Sequence, residues 1–166
     1  MIAMAELNAL PREAFVARLG GIYEHSPWVA EAAWPARPFA DLDALHGAMQ
    51  AAMLAAPIER QQALIDAHPE LLGRLEAAEL TESSRAEQAS AGLDRCTAEE
   101  KSRMRELNAR YRARFGFPFI VAVRGLDWGG IIARIEQRLR NDRTREFDTA
   151  LAEIGRIARL RLEALQ

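Results

Sequence analysis

Two stretches carry the residue types that could do chemistry: His68-Pro69-Glu70, a histidine set directly before a proline, and the helix-spaced trio Ser84, Glu87 and Gln88. Proline disfavours the α conformation in the residue ahead of it, so His68 is expected where one helix stops. Pro69 suits the first position of the next. There the imidazole would feel the positive end of the following helix dipole, a field that favours a neutral, proton-accepting ring near neutral pH. Ser84, Glu87 and Gln88 stand at i, i+3 and i+4, one face of a single helix. A ring, a carboxylate, a hydroxyl and an amide suffice for acid–base work on a small polar molecule without a metal. Plainer readings exist for both. A helix-end histidine can sit in ordinary polar contacts, and S-x-x-E is also the spacing of a capping box.

Other chemistries find less support. His25, His46 and His68 are far apart, and neither H-E-x-x-H nor paired cysteines occur, so no metal site is expected. Gly20-Gly21 and Gly129-Gly130 follow no strand, which argues against a phosphate loop. The lone Cys96 cannot form an intramolecular disulfide and suits a reducing compartment.

With 166 residues, 49% hydrophobic and 28% charged, the chain reads as one globular domain over 1–166. The net charge of −2 hides an asymmetry: residues 1–100 hold 7 basic and 16 acidic side chains, residues 101–166 hold 15 and 8. The cationic half could serve an anionic substrate, an acidic face of the protein itself, or nucleic acid. The arginines of 103–114 alternate with Met104, Leu107 and Tyr111, the pattern of a solvated helix face rather than a nucleic-acid stripe. Neither a signal peptide nor a membrane span is evident, and the cytoplasm is the expected location.

The elements that must position these residues read as helices. Apolar spacing predicts one from Pro11 to Tyr23, fading at Gly20-Gly21, and a short one between Trp28 and Trp34 opened by Ser26-Pro27. Both tryptophans are expected in the core. Asp41 is expected to cap a helix with Leu45, Met49 and Met53 inward, and Pro57 to start one that runs into His68. Leu71, Leu72 and Leu75 suggest a short helix. Thr97 and Glu100 form a capping box for a helix carrying Met104, Leu107, Tyr111 and Phe115, ended by Gly116 and Pro118. Asp127 to Leu139 and Thr144 to Leu165 close the chain as helices. Residues 117–123 form the one strand-like run and have no partner run, so their backbone groups must be met by helix ends, water or a ligand. The expected fold is all-α with one extended segment.

Five blocks, in order, resemble the OHCU decarboxylase family: Glu24-His25-Ser26-Pro27-Trp28; His68-Pro69-Glu70-Leu71; the stretch Ser84 to Leu93, reading S-R-A-E-Q-A-S-A-G-L; Phe115 to Ile120, reading F-G-F-P-F-I; and Ile157 to Leu162. The family acts on 2-oxo-4-hydroxy-4-carboxy-5-ureidoimidazoline, the last intermediate between urate and allantoin. The resemblance runs from about residue 11 to 163 and implies an all-α single-domain bundle, usually a homodimer, that uses no cofactor or metal and yields S-allantoin. It matches His68 and Glu87 to catalytic residues and Pro69, Ser84 and Gln88 to substrate-binding ones. Phe119, Ile120, Val121, Ala122 and Val123 match a pocket-lining stretch that binds partly through backbone groups, and Arg161, or else Arg159, matches a substrate-binding arginine. The implied partners are a small-molecule substrate and the enzymes that supply it, urate oxidase and hydroxyisourate hydrolase, with no nucleic acid or membrane. Two alternatives stay open: the same fold acting on a related ureido or hydroxy acid, and a non-enzymatic helical interaction module.

Overall fold

Three helices open on side-chain caps. Asp41 accepts a 2.8 Å hydrogen bond from the Ala44 amide, and Asp127 one of 2.8 Å from the Gly130 amide. At Thr97 the reciprocal capping box is complete, with bonds of 2.8 and 3.1 Å to and from Glu100. The computed structural model describes residues 3–71, 82–90, 92 and 95–165, except the side chains of Ser83, Gln88 and Ser90. In order come α1 (Met4–Ala9), α2 (Arg12–Leu19), α3 (Trp28–Ala33), a 3-10 turn (Trp34–Ala36), α4 (Leu42–Ala55) and α5 (Ile58–Ala67). Then follow α6 (Glu82–Ser90), α7 (Ala98–Phe115), α8 (Trp128–Arg138) and α9 (Arg143–Ala164). The fold is all-α, and no helix among the described residues is long and apolar enough to cross a membrane. Leu72 and Leu75, in the helix expected after Leu71, lie outside the described residues.

By contact the chain divides into two compact units, Met1–Ala67 with Ile154–Gln166, and His68–Glu153. In the first, Phe15, Leu45, Met49, Met53, Leu64 and Ile65 are fully buried, and Phe15 stacks on Phe39 at 6.2 Å. Helix α1 is too short for periodicity to reveal. Asn8 fixes its end by exchanging two hydrogen bonds, 2.8 and 2.9 Å, with the Phe39 backbone. After α2 the chain needs glycine: a Cβ on Gly20 would lie 2.6 Å from the Val16 carbonyl oxygen. Helix α3 opens without the expected Ser26 side-chain cap. Pro27 occupies the cap position, and the Ser26 carbonyl accepts from the Val29 amide at 3.2 Å. Trp28 and Trp34 are half-buried rather than core residues. Each instead carries an arginine over its ring, Arg60 at 5.5 Å and Arg37 at 4.0 Å.

In the second unit the core is aromatic. Tyr111 lies 4.7 Å from Phe115 and 5.3 Å from Phe119, and Phe117 meets Phe147 edge-on at 6.1 Å. Helix α7 ends at Gly116, whose φ of 80° is left-handed and whose amide bonds the Arg112 carbonyl at 2.8 Å. Residues 117–123 form no ladder, yet all but the half-buried Ala122 are buried.

Candidate active site

His68 follows the last residue of α5 and is 6% exposed, as expected of a residue forced out of the helix by Pro69. Pro69 and Glu70 are not helical, so no helix begins at Pro69 itself. Helix α7 holds this junction from two positions one turn apart. Arg112 pairs with Glu70 at 2.7 Å, and the buried Asn108 donates to the Leu71 carbonyl at 2.7 Å. The chain on the C-terminal side of the imidazole is therefore fixed to a long helix.

Ser84 lies two residues inside α6, not at its start, so the capping-box reading of Ser84 and Glu87 does not hold. Its side chain is 3% exposed, whereas Glu87 is half-buried. A serine buried inside a helix and a carboxylate one turn on form a polar stripe, which ordinary amphipathic packing does not require. Gln88 continues that face in the helix, but its side chain lies outside the described residues.

Two backbone groups of the buried 117–123 segment are met by buried charged side chains. Arg138 donates through Nη1 to the Ile120 carbonyl, and the Ala122 amide donates to Glu153 Oε2 at 2.8 Å. Arg138 also donates through Nε to Glu146, and Tyr111 Oη donates to Glu146 at 2.9 Å. Asn141 donates to the other Glu146 oxygen, also at 2.9 Å. Arg138, Glu146 and Glu153 are at most 4% exposed. Burial, the largest cause, pushes the Tyr111 hydroxyl pKa above its ordinary value. The sequence reading missed this network. Its signal was register: Arg138 follows Ile131 and Ile135 on the apolar stripe of α8, and Glu146 and Glu153 bracket Ala150 on that of α9.

Arg161 belongs to the first unit, while His68, Pro69, Ser84, Glu87 and 119–123 belong to the second. Its guanidinium pairs with Glu24 at 2.9 Å and donates to the Ile22 carbonyl at 3.2 Å, and both charged side chains are buried. Arg159 differs: it is about one-third exposed and pairs with Asp43 and Glu163. His25, between Glu24 and Ser26, takes a left-handed backbone at φ 47°, uncommon for a non-glycine residue. Among the described residues no three His, Cys, Asp or Glu side chains gather where a metal could be held. The arginines of α7 are partly engaged by the protein's own acids, Arg103 with Glu106 at 3.0 Å and Glu136 at 2.6 Å.

Residues 8–163 match the family model described as OHCU decarboxylase. The chain belongs to the OHCU decarboxylase family. A 2-oxo-4-hydroxy-4-carboxy-5-ureidoimidazoline decarboxylase of Haloferax volcanii is 44% identical over 161 residues, 97% of this chain and 94% of that protein. One of Halalkalicoccus jeotgali is 43% identical over 164 residues, 99% and 92% of the two. The crystal structure of (S)-allantoin synthase superposes with a TM-score of 0.78 at 29% identity, covering 98% of this chain and 54% of that one. The match therefore runs from the end of α1 into the last turn of α9 and includes every block on which the sequence resemblance rested.

Proposed function

We propose that this protein is a decarboxylase converting 2-oxo-4-hydroxy-4-carboxy-5-ureidoimidazoline to S-allantoin and carbon dioxide, the closing step of urate conversion. The observation that carries the reading is end-to-end likeness to two decarboxylases of that name, each matched over at least 92% of its length.

The reaction needs no external electron sink. The substrate's quaternary carbon bears hydroxyl and carboxylate beside a ring C=N carbon that holds the ureido group. As the carbon–carboxylate bond breaks, its electron pair forms a C=C bond and the C=N pair moves onto nitrogen, which takes a proton. The resulting enol then gains a proton at the ureido-bearing carbon and loses its hydroxyl proton to become the carbonyl. For this reason we assign the chain no cofactor.

His68 transfers the proton near the hydroxyl, working as a neutral base. Glu87 holds the hydroxyl or ureido hydrogens and helps move that proton. Pro69, Ser84 and Gln88 line the substrate, the last two meeting the urea edge with donors and acceptors of both kinds. The backbone of Phe119–Val123 binds the ring, and Arg161 pairs with a carbonyl or the departing carboxylate. Burial of His68 and Ser84 supports these roles, since a polar group removed from water is retained at a cost. The chain acts as one domain of residues 1–166, as a homodimer in the cytoplasm, downstream of urate oxidase and hydroxyisourate hydrolase.

Protonation on one face yields one enantiomer. Circular dichroism of urate being degraded by the two upstream enzymes, with and without this protein, tests the assignment. A rapid rise of the S-allantoin signal is expected. A rate equal to the spontaneous background, from folded protein, would move the assignment to a related ureido acid.

A further inference from the structure

Two buried ionic side chains are committed to the backbone of a single non-helical segment. Among the described residues, 117–123 takes part in one backbone–backbone hydrogen bond, from the Leu126 amide to the Val123 carbonyl at 3.0 Å. Its course is set instead by Arg138 on the Ile120 carbonyl and by Glu153 on the Ala122 amide. Arg138 is itself held by Glu146 and by Tyr111 Oη at 3.3 Å, and its guanidinium lies 4.6 Å over the Phe119 ring.

A fold alone does not ask for this. Burying ions is expensive, and well-packed apolar residues often replace a buried pair with no loss of stability. Neutral packing, however, leaves a carbonyl and an amide without partners and lets the segment slide between conformations. A charged fork on the Ile120 carbonyl and a carboxylate on the Ala122 amide fix the two consecutive peptide groups that flank Val121, so the backbone there has one course.

We propose that Arg138 and Glu153 are positioning residues, which hold the Phe119–Val123 backbone in the geometry that grips the substrate. This rests on the reading of 119–123 as a substrate-binding stretch. Neither side chain needs to touch substrate. The role is to keep peptide groups aligned, because small misplacements of binding groups are costly in rate.

The test combines kinetics with amide hydrogen exchange on the full chain. Glu153→Met removes the acceptor for Ala122, Glu153→Gln keeps one, and Arg138→Lys keeps charge but loses the planar fork. Met49→Ala, in the core of the other unit, controls for lost stability. Glu153→Met is expected to raise KM for the ureidoimidazoline about tenfold, with a smaller fall in kcat, and to speed exchange at Ala122. Glu153→Gln should return both toward wild type, and Arg138→Lys should raise KM as well. Met49→Ala should lower Tm and leave KM unchanged. Wild-type KM in folded Glu153→Met, or in folded Arg138→Lys should Glu153→Met not fold, would overturn the proposal. So would equal KM effects from Met49→Ala. Wild-type protein without turnover is a separate result: it removes the functional reading and this role with it.

Discussion

The Glu24 carboxylate and the Arg161 guanidinium meet at 2.9 Å, with side chains 1% and 6% exposed, one from the turn before α3 and one from the last turns of α9. Arg161 reaches the Ile22 carbonyl as well, so the arginine ties down the backbone on which Glu24 sits. A pair this dry is held by mutual compensation, and removing one partner leaves the other's charge buried without its counter-ion.

Glu24→Leu should therefore cost about 3–5 kcal/mol in urea denaturation, while the double variant Glu24→Leu/Arg161→Met should recover much of that loss. A single-variant loss below about 1 kcal/mol would mean that the pair behaves like a surface bridge.

The chain has two tyrosines, Tyr23 and Tyr111, and burial raises the pKa of both. An unfolded tyrosine ionises near pH ~10. Above that pH the unfolded state binds fewer protons than the folded one, so stability is fully present below about pH 10 and falls as pH rises past it. Phenolate absorbance should appear only together with the loss of helical circular dichroism. Reversible phenolate formation near pH ~10 in folded protein would contradict the burial argument.

Glycine substitutions should split by backbone. Gly47 is exposed inside α4 with open space for a Cβ, so Gly47→Ala should raise stability by about 0.8–1 kcal/mol. Gly116 also has open space, but its φ is 80°, and Gly116→Ala should cost about 1–2 kcal/mol. Thermal unfolding of the two variants gives opposite signs if conformation rather than packing decides. Shifts of the same sign would refute that.

How much of this was legible in the sequence follows from what each residue answers to. Caps at Asp41, Thr97 and Asp127 and the glycine stop at 116 depend on neighbours within four positions, so local pattern sufficed. The bend at His68 was equally local. Trp28 and Trp34 were misplaced because hydrophobicity says nothing of the arginines that cover their faces. Arg138, Glu146 and Glu153 went unread because charge argues for solvent, and only partners brought from other elements make their burial affordable. As for the site, His68, Ser84 and Glu87 stood out as chemical types, whereas their roles rest on family likeness.

The most direct measurement is the initial rate of S-allantoin formation, followed by circular dichroism, for wild type and His68→Ala at matched concentration. If His68 transfers the proton, the variant should stay folded and lose about 10²–10⁴-fold in rate. Near-wild-type turnover by folded His68→Ala would contradict the account at its centre.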